Sequence, residues 1–209
     1  LKPGDRIAIL SENRPEWAWI DLAAQSIGAA SVPIYTSLTS TEIQYILSDC
    51  KAKMIAISNK ILFEKIPPIQ KSLPDLGAVI AFDSALILSS AEISIPLLLL
   101  KDLEKNTGSG RLSESYLNAI PPDAIASIIY TSGTTGLPKG VMLTHSNFIH
   151  NVVFCKTTLK MSETDIHLSF LPLSHVFERM AGHYLMIYIG AAIAYAENMD
   201  TVPQNLMEV

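Results

Sequence analysis

Charged residues are few in this sequence: Asp, Glu, Lys and Arg make up 17% of its 209 residues, while 49% are hydrophobic. That balance excludes a disordered chain and suits a filled globular α/β core, with length for one large domain or two small ones. Positive charge is scarcer still. The 15 Lys and Arg are scattered among 20 Asp and Glu, and the net charge of −5 gives no electrostatic reason to expect nucleic acid as a partner. Cysteine is nearly absent, and Cys50 and Cys155 lie too far apart for a zinc knuckle or a redox pair. Two lone thiols suit a reducing compartment. Long apolar runs are missing too. The longest, YLMIYIGAAIAYA at residues 184–196, is too short to span a bilayer and is broken by Gly190, so it reads as a buried helix followed by a strand. No signal peptide or initiator methionine is visible, and neither LKPGDRIAIL nor TVPQNLMEV has the features of a terminus. A piece of a longer protein is the expectation.

What is present is α/β alternation. RIAIL (6–10) has strand character, and the following run has Pro15 where a first helical turn tolerates it and Gly28 at its end. SVPIY returns as a strand, completing the unit that builds parallel sheets. Thr39 and Glu42 are spaced as a capping box for a helix through IQYILSDC, and KMIAI and GAVIAF are the next strands. Residues 58–76 read as helical but are interrupted by Pro67 and Pro68, and residues 83–124 are the least legible. Beyond them DAIASIIY, KGVMLTH, DIHLSFLPL and AAIAYA read as strands. SNFIHNVVFCKTTLKM, with Ser146 near its cap, and SHVFERMAGHYLMIYIG read as helices. Trp17 and Trp19 are expected in the core.

Residues 128–145, IIYTSGTTGLPKGVMLTH, carry the chemistry. A run of small residues between strands leaves backbone amides free to converge, and glycine permits the dihedrals that form an anion nest. Thr131, Ser132, Thr134 and Thr135 add hydroxyls, and Lys139 adds a mobile positive charge. This set suits a polyphosphate, and hydroxyl oxygens also suit magnesium. Spacing rules out a Walker P-loop. From Gly133 the second glycine position holds Pro138, from Gly136 it holds Val141, and Lys139 is followed by Gly140 instead of a hydroxyl residue. The plainer alternative is a Gly/Ser-rich surface turn.

The stretch YTSGTTGLPKG, Tyr130 to Gly140, resembles the phosphate-loop signature of the adenylate-forming superfamily, which includes acyl-CoA synthetases, peptide-synthetase adenylation domains and beetle luciferases. Residues 1–57 and 125–209 share this resemblance. LSFLPLSHVFERMAG, with Pro172, Leu173, Ser174 and His175 followed by Phe177, Glu178 and Arg179, resembles the corresponding region of long-chain fatty acyl-CoA synthetases. The fold so implied is layered, mostly parallel α/β sheets with flanking helices. It would be an incomplete large N-terminal domain, 1–124 a first α/β region and 125–209 the phosphate-loop and acyl-site region. The activity implied is ATP-dependent conversion of a long-chain fatty acid to acyl-adenylate and then acyl-CoA, with ATP, magnesium and coenzyme A required.

By the same resemblance Thr131, Ser132, Gly133, Thr134, Thr135 and Gly136 wrap the β- and γ-phosphates. Lys139 tracks the outer phosphate and Thr131 ligates magnesium. His175 sits near the α-phosphate and the acyl carboxylate, and Phe177 near the acyl channel. Relatives of this branch often work at membrane surfaces, so a cytoplasmic location with peripheral membrane contact is expected, although no amphipathic basic anchor is visible. Acyl-chain length and oligomeric state are left open. The family's Tyr-Gly-x-Thr-Glu segment, ribose-binding aspartate, hinge and C-terminal lysine are absent, so the chain alone is expected to lack full ligase activity. Three alternatives stand beside this reading: another adenylate former with a different acid or acceptor, a non-catalytic nucleotide-binding module, and a membrane-interaction protein. Residue by residue, His175 could serve only to cap its helix, and Glu178 and Arg179 could form a solvated surface pair. His145, His150, His167 and His183 are read as structural.

Overall fold

The computed structural model describes residues 1–105, 112–131 and 136–209, the side chains of 87–90 excepted. Ser132, Gly133, Thr134 and Thr135 of the loop therefore lie outside the described residues. The larger sheet holds β1 (Arg6–Leu10), β2 (Ala30–Ile34), β3 (Met54–Ile57), β4 (Ala78–Ala81), β5 (Leu97–Leu99), β6 (Ile125–Thr131) and β7 (Lys139–Thr144). Their order is β5-β4-β3-β1-β2-β6-β7. Every neighbouring pair is parallel except β6 with β7. A second, parallel pair is formed by β8 (Ile166–Ser169) and β9 (Ala192–Tyr195).

Alternation along the strands divides the core in two. Ala8, Leu10, Val32, Ile55, Ile57 and Val79 pack on α2 (Ser40–Asp49) and α3 (Lys60–Phe63) through Ile43, Ile46, Leu62 and Phe63. Ile7, Ile9, Ala56 and Ile80 point the other way, onto Trp17, Ile20 and Ala24 of α1 (Pro15–Ser26). The central strands are thus apolar on both faces, as a parallel sheet covered by helices requires. Trp19 is a correction: it is 51% exposed. Two residues along a helix from Trp17 amount to about 200°, which turns Trp19 away from the buried stripe.

The capping box forms as expected. Glu42 N–H donates to Thr39 Oγ1, and the Thr39 N–H donates to Glu42 Oε2 at 2.8 Å. Thr39→Ala is expected to cost about 1 kcal/mol of stability, measurable by denaturant unfolding.

The illegible middle resolves into short pieces: a 3₁₀ turn at Gln70–Ser72, a 3₁₀ segment at Ser84–Glu92, α4 (Leu100–Lys105) and α5 (Glu114–Asn118). Helix α6 (His145–Thr158) is capped by Thr144, two residues before Ser146, with Asn147 completing a second capping box. The helix expected over SHVFERMAGHYLMIYIG is instead a π-helix, Glu178–Tyr184, continuing into α7 (Leu185–Ile189), which Gly190 ends in the left-handed region at φ 80°. A last short helix, α8, spans Val202–Asn205. Among the described residues no helix is long and apolar enough to cross a membrane.

Candidate active site

Strand β6 ends at the carboxyl edge of the sheet, beside the ends of β1 and β2, the edge where open α/β sheets place their ligands. Its antiparallel partner β7 returns from the loop with Thr131 opposite Lys139 and Tyr130 opposite Gly140. The loop is thereby a hairpin connection whose two chemically distinct ends, a hydroxyl and an ammonium, are held as a cross-strand pair. Both residues are exposed, and among the described residues neither side chain makes a hydrogen bond or ion pair within the protein. Gly136, at φ 97° with open space around a would-be Cβ, is needed for its backbone conformation.

Gly140 is needed for a different reason. A Cβ there would lie 2.8 Å from Ile128 Cγ2 and 3.0 Å from Tyr130 Cζ. The Tyr130 hydroxyl donates to Asp49, and burial together with that acceptor pushes its pKa up, so it stays protonated and structural. Gly140→Ala must displace this anchored ring. It is expected to destabilise by about 1–3 kcal/mol, read as a lower denaturant midpoint.

A cavity of about 450 Å³ opens beside the hairpin, walled by Tyr35, Tyr130, Thr131, Pro138, His175 and Val176 among others. His175 enters from the turn before the π-helix. Its Nδ1 accepts from the Phe177 N–H at 3.2 Å, so the ring does bond its own helix start and still faces the cavity. That turn is pinned to the connection between β1 and α1 by Asn13, whose amide donates to Leu171 O at 2.6 Å and accepts from Leu173 N–H at 2.8 Å. Thr131 and His175 thus share one cavity, with Lys139 at the hairpin's return. Phe177 is 57% exposed and does not line the cavity. A larger cavity, about 630 Å³, lies at the opposite edge of the strands against Pro3, Ala30, Cys50, Ile125 and Met142. The one arginine there, Arg6, is taken up by the carbonyls of Cys50, Gly4 and Lys51, and burial pushes the Cys50 thiol up to about 11.

The surface-pair reading of Glu178 and Arg179 is overturned: both are buried. Glu178 Oε1 meets His167 Nε2 at 3.0 Å, and the approach is so close that a Cβ at Gly182 would fall 2.3 Å from that oxygen. Arg179 pairs with Asp21 of α1. Burial by itself would raise the Asp21 carboxyl; the guanidinium and His183 outweigh it and hold the group well below the usual carboxylate range. Sequence reading missed Asp21 and Asn13. The available signal was a carboxylate four residues after Trp17, on the apolar stripe of a helix whose other charged residue, Glu16, sits in its first turn.

A mostly parallel sheet closed by one antiparallel hairpin, with Thr131 and His175 lining a cavity at its carboxyl edge and Lys139 across the hairpin from Thr131, defines an α/β domain with a candidate site at that edge. The chain matches the AMP-binding enzyme family over residues 1–209, and it belongs to that family. It is 34% identical to fatty acyl-CoA synthetase A of Dictyostelium discoideum over 93% of its own length and 29% of that protein's. To long-chain-fatty-acid–CoA ligase 1 of Cavia porcellus it is 33% identical, over 92% and 28% respectively. The chain therefore spans under a third of the length of these relatives. Among solved structures, ATP-bound MatB from Rhodopseudomonas palustris shares the fold with a TM-score of 0.77 at 20% identity, covering 100% of this chain and 38% of that one.

Proposed function

We propose that the protein carrying this chain activates a long-chain fatty acid with ATP and passes the acyl group to coenzyme A, these 209 residues forming part of its large N-terminal domain. The observation that carries the proposal is the hairpin pairing of Thr131 with Lys139 beside His175, in a chain of the AMP-binding family whose relatives are named for fatty acyl-CoA synthesis. In the first step a carboxylate oxygen bonds to the α-phosphorus of ATP and the bond to pyrophosphate breaks. In the second, the thiol sulfur of coenzyme A attacks the acyl carbonyl, the thiol proton is lost, and AMP leaves.

The first step requires in-line positioning and neutralisation of charge on the departing pyrophosphate. Lys139 supplies the neutralising charge, and the loop from Thr131 to Gly136 supplies amide and hydroxyl donors. His175 sits where a carboxylate entering the cavity would approach the α-phosphate, and Phe177 flanks the acyl entrance. The residues fit magnesium of the kind bound mainly through substrate phosphates. Thr131 offers one hard oxygen, and among the described residues no group of three or more His, Cys, Asp or Glu forms an all-protein cage. The ion, when bound, adds further charge neutralisation at the polyphosphate. An acid this apolar fits a cytoplasmic enzyme in peripheral contact with a membrane.

The test is acid-dependent pyrophosphate exchange by the complete protein, across saturated acids of increasing chain length. Exchange should rise towards the long acids. A preference for short or aromatic acids would reassign the substrate, and no exchange with any acid would overturn the proposal.

A further inference from the structure

The fully buried guanidinium of Arg179 is the hub of a polar network that the reaction as described does not use. One amino group donates to Ser127 of β6. The other contacts Asp21 of α1, Ser31 of β2 and, at 2.9 Å, the hydroxyl of Tyr184. Tyr184 in turn donates to Asp21 Oδ2 at 2.7 Å. The π-helix makes this possible: bonding across five residues stacks Arg179 and Tyr184 on one face, which an α-helical turn would not. The guanidinium carbon also lies 5.5 Å from the ring centre of Phe148 on α6, the helix that follows β7.

The connections lead to the cavity from both sides. Ser127 and Thr131 are four apart on β6 and share a face, separated by about 13 Å of strand. His175 lies one turn before Arg179, and the Arg179 N–H donates to its carbonyl at 3.1 Å. Arg179 therefore ties the strand that ends in Thr131 to the turn that presents His175. Stability alone is a weak reason for such a device, since apolar side chains of similar volume commonly do as well as a buried ion pair, and here Arg179 Nε has no partner among the described residues. What an ionic hub with directional bonds adds is a single geometry.

We infer that Arg179, held by Asp21 and Ser127, is a positioning residue for adenylation: it sets the placement of His175 relative to the phosphate-loop strand. This rests on the proposed function and adds a determinant that touches no substrate.

The test uses the complete protein with the double variant Asp21→Asn/Arg179→Met, which removes both charges together and so leaves no unpaired ion. Folding is checked by circular dichroism and the melting midpoint, and kcat and KM for ATP and for acid are read from pyrophosphate exchange. The expected result is a native fold with kcat lowered about 10- to 100-fold and KM for ATP nearly unchanged. Arg179→Lys, which keeps the charge but not the fork, should recover part of the loss. A folded double variant with wild-type kcat would overturn the inference. If the double variant does not fold, Ser127→Ala decides: it removes one hydroxyl, and a lowered kcat supports the inference while a wild-type value overturns it. Absence of exchange in the wild-type protein would instead strike the proposed function itself, and this inference with it.

Discussion

Lys139→Ala in the complete protein is expected to slow acid-dependent pyrophosphate exchange by about 100- to 1000-fold, the usual loss when one preorganised group facing a developing negative charge is removed. Folding should hardly register the change. Lys139 is the exposed first residue of β7, and it makes no ion pair among the described residues. Exposed substitutions of that kind usually stay within about 0.5 kcal/mol. Its backbone, in contrast, is fixed by the register with Thr131, so alanine leaves the hairpin in place and deletes only the charge. Kinetics and unfolding must therefore separate. Exchange that survives Lys139→Ala would refute the role assigned to the lysine, and parallel losses of activity and stability would point to a structural role.

The second large effect is on stability. Asp21→Ala should destabilise by about 3–5 kcal/mol, because it leaves the fully buried Arg179 cation without its carboxylate partner. Asp21 is fully buried and also accepts from Ser31, Gln25 and Tyr184, so several donors lose their acceptor at once. The pH dependence has a definite sign. A carboxyl whose folded pKa is depressed contributes stability above its unfolded value of about 3.9, and that contribution is lost only as pH falls towards the folded value. The Arg179–Asp21 share of the difference between wild type and Asp21→Ala should thus persist from about pH 5 to 8 and shrink only in strong acid, with His183, 3.6 Å from Asp21, adding to it only where that ring is protonated. Denaturant unfolding across that range measures it, and a difference below about 1 kcal/mol at neutral pH would contradict a closed ion pair.

Much of this was readable from residues alone, and the limits have physical causes. β1 lies where RIAIL places it, because its apolar run suits a strand buried on both faces, and the Thr39–Glu42 box forms because it depends on neighbours within a few residues. The hydrophobic pattern of β7 was legible but its direction was not, since a period of two carries no polarity and only pairing with β6 makes it antiparallel. The π-helix could not be read at all: its five-residue turn is stabilised by Asp21, Ser31 and Ser127, which lie 158, 148 and 52 positions from Arg179. Of the candidate site, Thr131 and His175 line one cavity, Lys139 stands opposite Thr131 across the hairpin, Phe177 stands outside the cavity, and Asn13 and Asp21 gave only the weak signal of polar residues flanking or interrupting an apolar helix. Ser132, Gly133, Thr134 and Thr135 remain assigned by resemblance.

The span of the Arg179 hub also bears on the order in which the molecule assembles. The β6–β7 hairpin closes a short loop and costs little chain entropy, so it can form early and alone. Joining Arg179 to Asp21 closes a loop of 158 residues and requires the sheet beneath to exist first. A nascent chain would then carry the paired β6 and β7 strands well before His175 reaches its place beside Thr131, and the cavity those two residues share would be among the last features it acquires.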